Sequence, residues 1–271
     1  MHRQTTKAPL MARPRKSMAL VVAPEEEAGL PAGFAGPLDA GAPKTAQAYA
    51  TLRRAIVNLA LPPGGPVNER AICDQLGISR TPLREAILQL QAENLVTVVP
   101  NSGTYVSRID LQSVFDGQLV RDALEMKVVR LAASRVTPAF ERALDFNLHQ
   151  QRRLAQDGDH PAFYDLDEAF HAMICEQGAS AQVWRIVHGA KAQLDRVRLL
   201  SFPIPNHLDV VLGEHTAIAD GLRLRDPDAA AAAMKVHLDR VFTLIRRHVV
   251  ERRDYFAADA AEALDGFVAG R

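Results

Sequence analysis

Apolar residues first settle into a period at Tyr49, Leu52, Ile56 and Leu59, the three- and four-residue spacing of one helix face across 46–59. Leu61-Pro62-Pro63-Gly64-Gly65-Pro66 stops that helix. Asn68 is placed to cap a second, short helix over 69–76, with Ala71, Ile72 and Leu76 inward and Gly77 just past its end. Ser79 then sits at the cap of a third helix that runs to about Glu93, with Ile87, Leu88 and Leu90 on its apolar side. Pro82 falls in the first turn, where no backbone hydrogen bond is lost to it. Two β-branched runs follow, Leu95–Val99 and Thr104–Val106, around Pro100-Asn101-Ser102-Gly103, the pattern of a hairpin.

Three helices and a hairpin over 45–108 make a winged helix-turn-helix. From Asp110 the strand signal disappears, and six helical blocks take over at roughly 110–135, 138–156, 161–177, 180–200, 207–225 and 227–253. Thr137-Pro138 and Asp226-Pro227 are cap-plus-proline starts, and Asp157-Gly158-Asp159 is a break. The expected fold is therefore mainly α: an N-terminal winged helix-turn-helix followed by an all-α helical bundle over 110–253. Residues 1–44, rich in Pro, Gly and Ala without an apolar period, read as a disordered tail. Residues 254–271 read as a C-terminal extension.

Composition narrows the picture modestly. The 271 residues suffice for two domains, and few aromatics beside abundant Ala, Leu and Arg favour helices. Two cysteines, Cys73 and Cys175, are too few for a disulfide framework and fit a reducing cytoplasmic setting. The apolar stretch Met18–Ala23 is too short for a membrane span, so no membrane partner is expected. Lys plus Arg balance Asp plus Glu at 32 each, so any nucleic-acid affinity has to come from a local cluster.

One such cluster opens the third helix. Arg80 and Arg84 are four apart and project from one face, beside the free N–H groups of a helix start that suit phosphate. A guanidinium can fork onto guanine in the major groove or onto phosphate. Arg70, Arg53 and Arg54 add charge nearby, yet six arginines against five carboxylates across 45–110 leave DNA binding undecided by composition alone.

In the second half, Asp167 and His171 share a helix face, and His215 and His237 lie on later helices. One carboxylate and three imidazoles suit Zn²⁺, Ni²⁺ or a similar divalent metal. The same four residue types also describe ordinary surface hydrogen bonding, a metal sensor, or the centre of a metal-dependent hydrolase. No nucleophile or general base stands out beside them.

The run Asn68-Glu69-Arg70, then Leu76-Gly77-Ile78-Ser79-Arg80-Thr81-Pro82-Leu83-Arg84-Glu85-Ala86, then Leu90-Gln91-Ala92-Glu93-Asn94-Leu95-Val96 resembles the GntR family of winged-helix regulators. Arg121-Asp122-Ala123-Leu124-Glu125, Asp167-Glu168-Ala169-Phe170-His171, Glu214-His215 and His237-Leu238 resemble the FCD ligand-binding domain of its FadR-like branch. The resemblance implies a DNA-binding transcriptional regulator, a repressor, and not an enzyme. It implies DNA contacts from Arg70, Ser79, Arg80, Thr81, Arg84 and the wing near Gly103, made by a homodimer on a pseudo-palindromic double-stranded operator. It also implies a divalent metal on Asp167, His171, His215 and His237, with a small organic-acid effector against it rather than acyl-CoA. Arg121 is the first candidate for clamping the effector carboxylate, with an intrahelical pair to Glu125 as its alternative; Arg196, with Arg198, is a second. Ser180-Ala181 stand where the family often has Asn-Pro, a departure that bears on the effector pocket.

Overall fold

The structure, a computed structural model, describes residue 34 and residues 41–269. The expected disordered tail therefore lies almost wholly outside the described residues.

Three helices come first: α1 (Lys44–Val57), α2 (Glu69–Leu76) and α3 (Arg80–Ala92). The Asn68 side chain accepts from Ala71 N at 3.0 Å, and Gly77 closes α2 in the left-handed region at φ 61°, which a residue without Cβ adopts freely. Ser79 occupies the cap position of α3, but its side chain makes no capping hydrogen bond. Strands β1 (Val96–Val99) and β2 (Gly103–Val106) pair antiparallel, Val96 opposite Val106 and Val99 opposite Gly103. Leu52, Ile56, Ile72, Leu83, Leu90 and Leu95 are fully buried between these elements, as the helix periods require.

The helical domain follows as α4 (Leu111–Ala133), α5 (Pro138–Asp157), α6 (His160–Gly178), α7 (Ala181–Ala190), α8 (Ala192–Ser201), α9 (His207–Arg223) and α10 (Pro227–Glu251). Thr137, Asp159 and Asp226 cap their helices through side-chain oxygens, each followed by a proline within the first two positions. Two glycines let helices close in. Gly178 of α6 lies against the backbone of α4 at Val128, and Gly221 of α9 lies against the start of α10.

Two features depart from the sequence reading. The block expected over 180–200 is two helices, because the chain leaves helical conformation at Lys191. Lys191 is fully buried there, its ammonium 2.5 Å from Glu168 Oε1 and 2.6 Å from Asp195 Oδ2. The C-terminal stretch is also not a loose extension. A turn of 3-10 helix (Arg253–Tyr255) leads to α11 (Ala260–Ala269), and Phe267 stacks on Phe115 of α4 with centroids 3.8 Å apart. On the way, Ile109 N donates to Tyr255 O at 2.8 Å and Ala257 N donates to Ile109 O at 2.9 Å. The segment joining the two domains is thus paired with the chain's end.

The winged domain is docked on the helical one. Residues of α1 and α3 share one continuous apolar core with Phe163, Tyr164, Ala192, Phe202, Leu208 and Val211. Arg53 and Arg54, expected to add charge for DNA, face this junction instead. Arg53 is buried, with Nε 2.9 Å from Glu93 Oε2 and Nη2 donating to His188 O at 2.9 Å, while Arg54 pairs with Asp165 at 2.6 Å.

A Cβ added at Gly221 would sit 2.6 Å from Ala230 N, a contact that side-chain rotation cannot relieve. Gly221→Ala is expected to destabilise the protein by about 1–3 kcal/mol, the usual cost of overpacking, read as a lower urea midpoint.

Candidate effector and metal site

Three helices deliver a compact donor set. α6 supplies Asp167 and His171 on one face, α9 supplies His215 and α10 supplies His237. All four are buried, and one donor atom from each lies within 4.8 Å of the others. His171 Nε2 is 3.1 Å from His237 Nε2, and His215 Nε2 is 3.4 Å from Asp167 Oδ1. Two ligands held about 2.0–2.1 Å from one zinc ion are separated by roughly 3.0–3.4 Å, so the cluster has the span of a first coordination shell.

The outer faces of the imidazoles are held by acceptors. His215 Nδ1 lies 2.8 Å from Gln151 Oε1 of α5, and His237 Nδ1 lies 3.2 Å from Glu214 Oε2. His171 Nδ1 lies 2.6 Å from Glu125 Oε2 of α4, though at an angle too poor for a full hydrogen bond. Acceptors at all three Nδ1 positions favour the proton there and turn the Nε2 lone pairs inward. His215 Nε2 is buried without any hydrogen-bond partner. A buried, unsatisfied lone pair beside a carboxylate and two further lone pairs is a position a cation would satisfy. The donor set therefore fits a divalent metal.

Protonation agrees with that fit. Burial, reinforced by neighbouring cationic groups, pushes His215 and His237 down to about 3 from 6.5, and His171 also well below. Burial alone would raise the Asp167 carboxyl. The Arg198 guanidinium, helped by the histidines, overcomes it and holds Asp167 well below the usual carboxylate range. Neutral imidazoles and an ionised carboxylate are the metal-binding forms.

Two arginines already lean on this cluster. Arg198 Nη2 of α8 donates to both Asp167 oxygens, at 2.8 and 2.6 Å. Arg121 of α4 bonds Glu125 Oε1 through Nε at 2.6 Å and places Nη2 3.2 Å from His171 Nε2. The pair with Glu125 is thus formed, and Arg121 reaches the cluster as well. Next to them a small cleft, partly open to solvent, is lined by Arg121, Arg198, His237, Ser201, His207 and Arg240 among others. Arg240 pairs with Glu214 at its side. Burial and the nearby Arg198 and Arg240 drive His207 down to about 4.

Arg196, expected beside the effector, does not line this cleft. Residues two apart on a helix point to nearly opposite sides, so Arg196 and Arg198 cannot both face the cleft. Arg198 does; Arg196 faces the winged domain and donates to Ser107 O at 2.8 Å. Gln151 and Arg240 were also not singled out from sequence. For Gln151 a signal existed: Leu144, Asn147, Leu148 and Gln151 share a buried helix face, and amides on an apolar stripe need partners.

At the other end of the molecule, Arg70, Ser79, Arg80, Thr81, Arg84 and Gly103 are all exposed. Ser79, Arg80, Thr81 and Arg84 crowd the N-terminal turn of α3, and Gly103 sits at the wing tip at φ 131°. Arg70 lies 4.0 Å from Asp74.

An exposed helix N-terminus rich in arginine, flanked by a wing and docked on an all-helical domain, is the architecture of a transcriptional regulator. Residues 44–106 match the bacterial regulatory proteins of the gntR family, and residues 118–240 match the FCD domain. The chain belongs to the GntR family, in the group that carries an FCD domain. It is 34% identical over 217 residues to the HTH-type transcriptional repressor RspR of Escherichia coli, covering 80% of this chain and 95% of that one. It is 30% identical to the Nta operon transcriptional regulator of Aminobacter aminovorans, covering 70% and 90%. The fold is similar to that of Escherichia coli McbR/YncC, with a TM-score of 0.69 at 19% identity, covering 76% of this chain and 99% of that one. Members of this family are regulators and not enzymes, which removes the hydrolase alternative.

Gln151→Leu, which removes the acceptor at His215 Nδ1, is expected to weaken metal binding about 10–100-fold, measured by chelator competition. The metal-free protein should lose stability as pH falls. His215 and His237 at about 3 and His207 at about 4 lie below the ordinary 6.5, so the unfolded chain binds more protons between these values. Thermal melts should be level above about pH 6.5 and drop steadily towards pH 4; a flat profile across that interval contradicts neutral burial.

Proposed function

We propose that this chain is a cytoplasmic, homodimeric repressor whose affinity for a pseudo-palindromic operator is set by a small organic acid bound beside a divalent metal. The observation that carries the reading is the buried lone pair of His215 Nε2, aimed into a set with Asp167, His171 and His237 beside an arginine-lined cleft. Two winged domains, each presenting Arg80 and Arg84 from the start of α3, would read half-sites about one helical turn apart. Among the described residues no helix is long and apolar enough to cross a membrane.

Charge bookkeeping links metal and acid. Behind the cleft, an ion-pair network joins Arg121, Arg198, Arg240 and Lys191 to Glu125, Asp167, Glu168, Asp195 and Glu214, four cations against five carboxylates. With the imidazoles neutral, this network carries one surplus negative charge, so the arginines that reach the cleft are already committed to carboxylates. A divalent cation reverses the sign, and Arg121 or Arg198 then offers its fork to a carboxylate. Metal binding is thus expected to be a condition for acid binding. A sensor that reads the metal alone is the second reading, favoured by the directness with which Asp167 engages Arg198.

Purified protein should hold about one divalent metal per chain, lost in a His171→Ala, His215→Ala double variant. Calorimetry with hydroxy and sugar acids should show binding to the metal-loaded protein and none to the stripped one; an acid that binds equally to both contradicts the charge argument. If metal alone releases DNA and no acid changes it, the sensor reading replaces the first. Arg80→Ala or Arg84→Ala should cost about 1–3 kcal/mol of operator binding, and whichever of them contacts phosphate should lower the salt slope by about one.

A further inference from the structure

Helix α8 is ten residues long, bounded by the break at Lys191 and the turn after Phe202, and its two faces serve different domains. Asp195 and Arg198 face the metal-binding cluster and its surround: Arg198 holds Asp167, while Asp195 Oδ1 lies 3.2 Å from Arg198 Nη1 and Asp195 Oδ2 accepts from Lys191. Gln193 and Arg196 face the winged domain. Gln193 Nε2 donates to Asn94 O at 2.7 Å, and Arg196 Nη2 donates to Ser107 O at 2.8 Å. Arg196 Nη1 in turn donates to Gln193 Oε1 at 2.9 Å, so the two side chains act as one unit.

The acceptors are telling. Asn94 lies just before β1 and Ser107 just after β2, so these two carbonyls mark the two stems of the wing hairpin. A single pair of side chains on α8 grips both.

The grip is held at a cost. Arg196 is fully buried, its Nε has no hydrogen-bond partner, and no carboxylate pairs with it among the described residues. Every other buried arginine described, Arg53, Arg121 and Arg198, has a carboxylate. Burial alone pushes Arg196 down to about 9, below the ordinary guanidinium value. A buried cation served only by neutral acceptors gains hydration when the interface opens, so the docked wing is poised rather than locked. Leu194 and Val197 anchor the helix between its two working faces in the core.

We propose that α8 is the mechanical link between the effector cleft and the wing, with Gln193 and Arg196 positioning the wing and Arg198 sensing the state of Asp167. Anything that takes Asp167 or Arg198 from the other shifts α8, and the two wing stems follow. The link rests on the cleft being the effector site only for its natural trigger; the mechanical coupling itself is separable.

The test uses full-length, metal-stripped protein and amide hydrogen exchange across residues 95–109. Arg196→Met should speed exchange in these stems at least tenfold while the buried amides of α4 and α10 keep wild-type rates, which also shows that the variant folds. Gln193→Leu, which spares the buried charge, should show a smaller increase confined to the stem at Leu95. Unchanged exchange in both variants overturns the clamp. Arg198→Met should alter stem exchange in the wild-type background but not in the Arg196→Met background; additive effects overturn the link from cleft to wing. Metal stoichiometry, measured alongside, reports on the effector-site reading independently: Arg196→Met should retain whatever metal the wild type holds.

Discussion

The arrangement depends on a concentration of electron pairs inside a protein that excludes water. Three imidazole nitrogens and a carboxylate converge from α6, α9 and α10 with little between them, and lone pairs at 3.1–3.4 Å in a low dielectric require positive charge. Here Arg198 meets the need at Asp167, and Arg121 approaches His171. Under the proposed function the cluster becomes a contest between cations of different kind. A guanidinium satisfies part of the set from one side, whereas a compact divalent ion can satisfy all four donors at once. Such a contest would give the site two states, and a regulator needs two states.

The contest matters at a distance because Arg198 belongs to a short helix with a second allegiance. α8 is not buried in one domain but lies along the seam of two, sharing a core with α1 while its polar residues divide between cluster and wing. A second chain of contacts runs in parallel. Glu168, the neighbour of Asp167, meets His188, which meets Arg53, which pairs with Glu93 at the end of α3. The arginines of the winged domain thus divide by place: Arg80 and Arg84 are exposed at the start of α3, and Arg53 is committed to the junction.

Much of this was legible in the chain. The periods around Leu52, Ile72 and Leu90, the Asn68 cap and the hairpin residues Asn101 and Gly103 specify the winged domain locally, because each element is fixed by residues within it. The four metal-ligand candidates were visible as residue types at helical spacing, and the folded chain brings all four together. What escaped was long-range. The break at Lys191 follows from charge pairs to Glu168 and Asp195 that no local propensity announces. The choice between Arg196 and Arg198 depends on which face of α8 meets which domain, and a periodicity with both arginines on a mostly buried helix does not say. α11 was missed because its apolar residues complete a core built by α4 and α10 rather than one of their own.

The approach to that last element has a consequence for how the winged domain is held. The bridge between Ile109 and the stretch after Tyr255 ties the interdomain connection to a segment far along the chain. The joint on which the winged domain sits is therefore held from two sides, by its own continuation into α4 and by the segment that returns from α10. Loosening the returning segment would free the placement of the winged domain while leaving the helices of both domains intact.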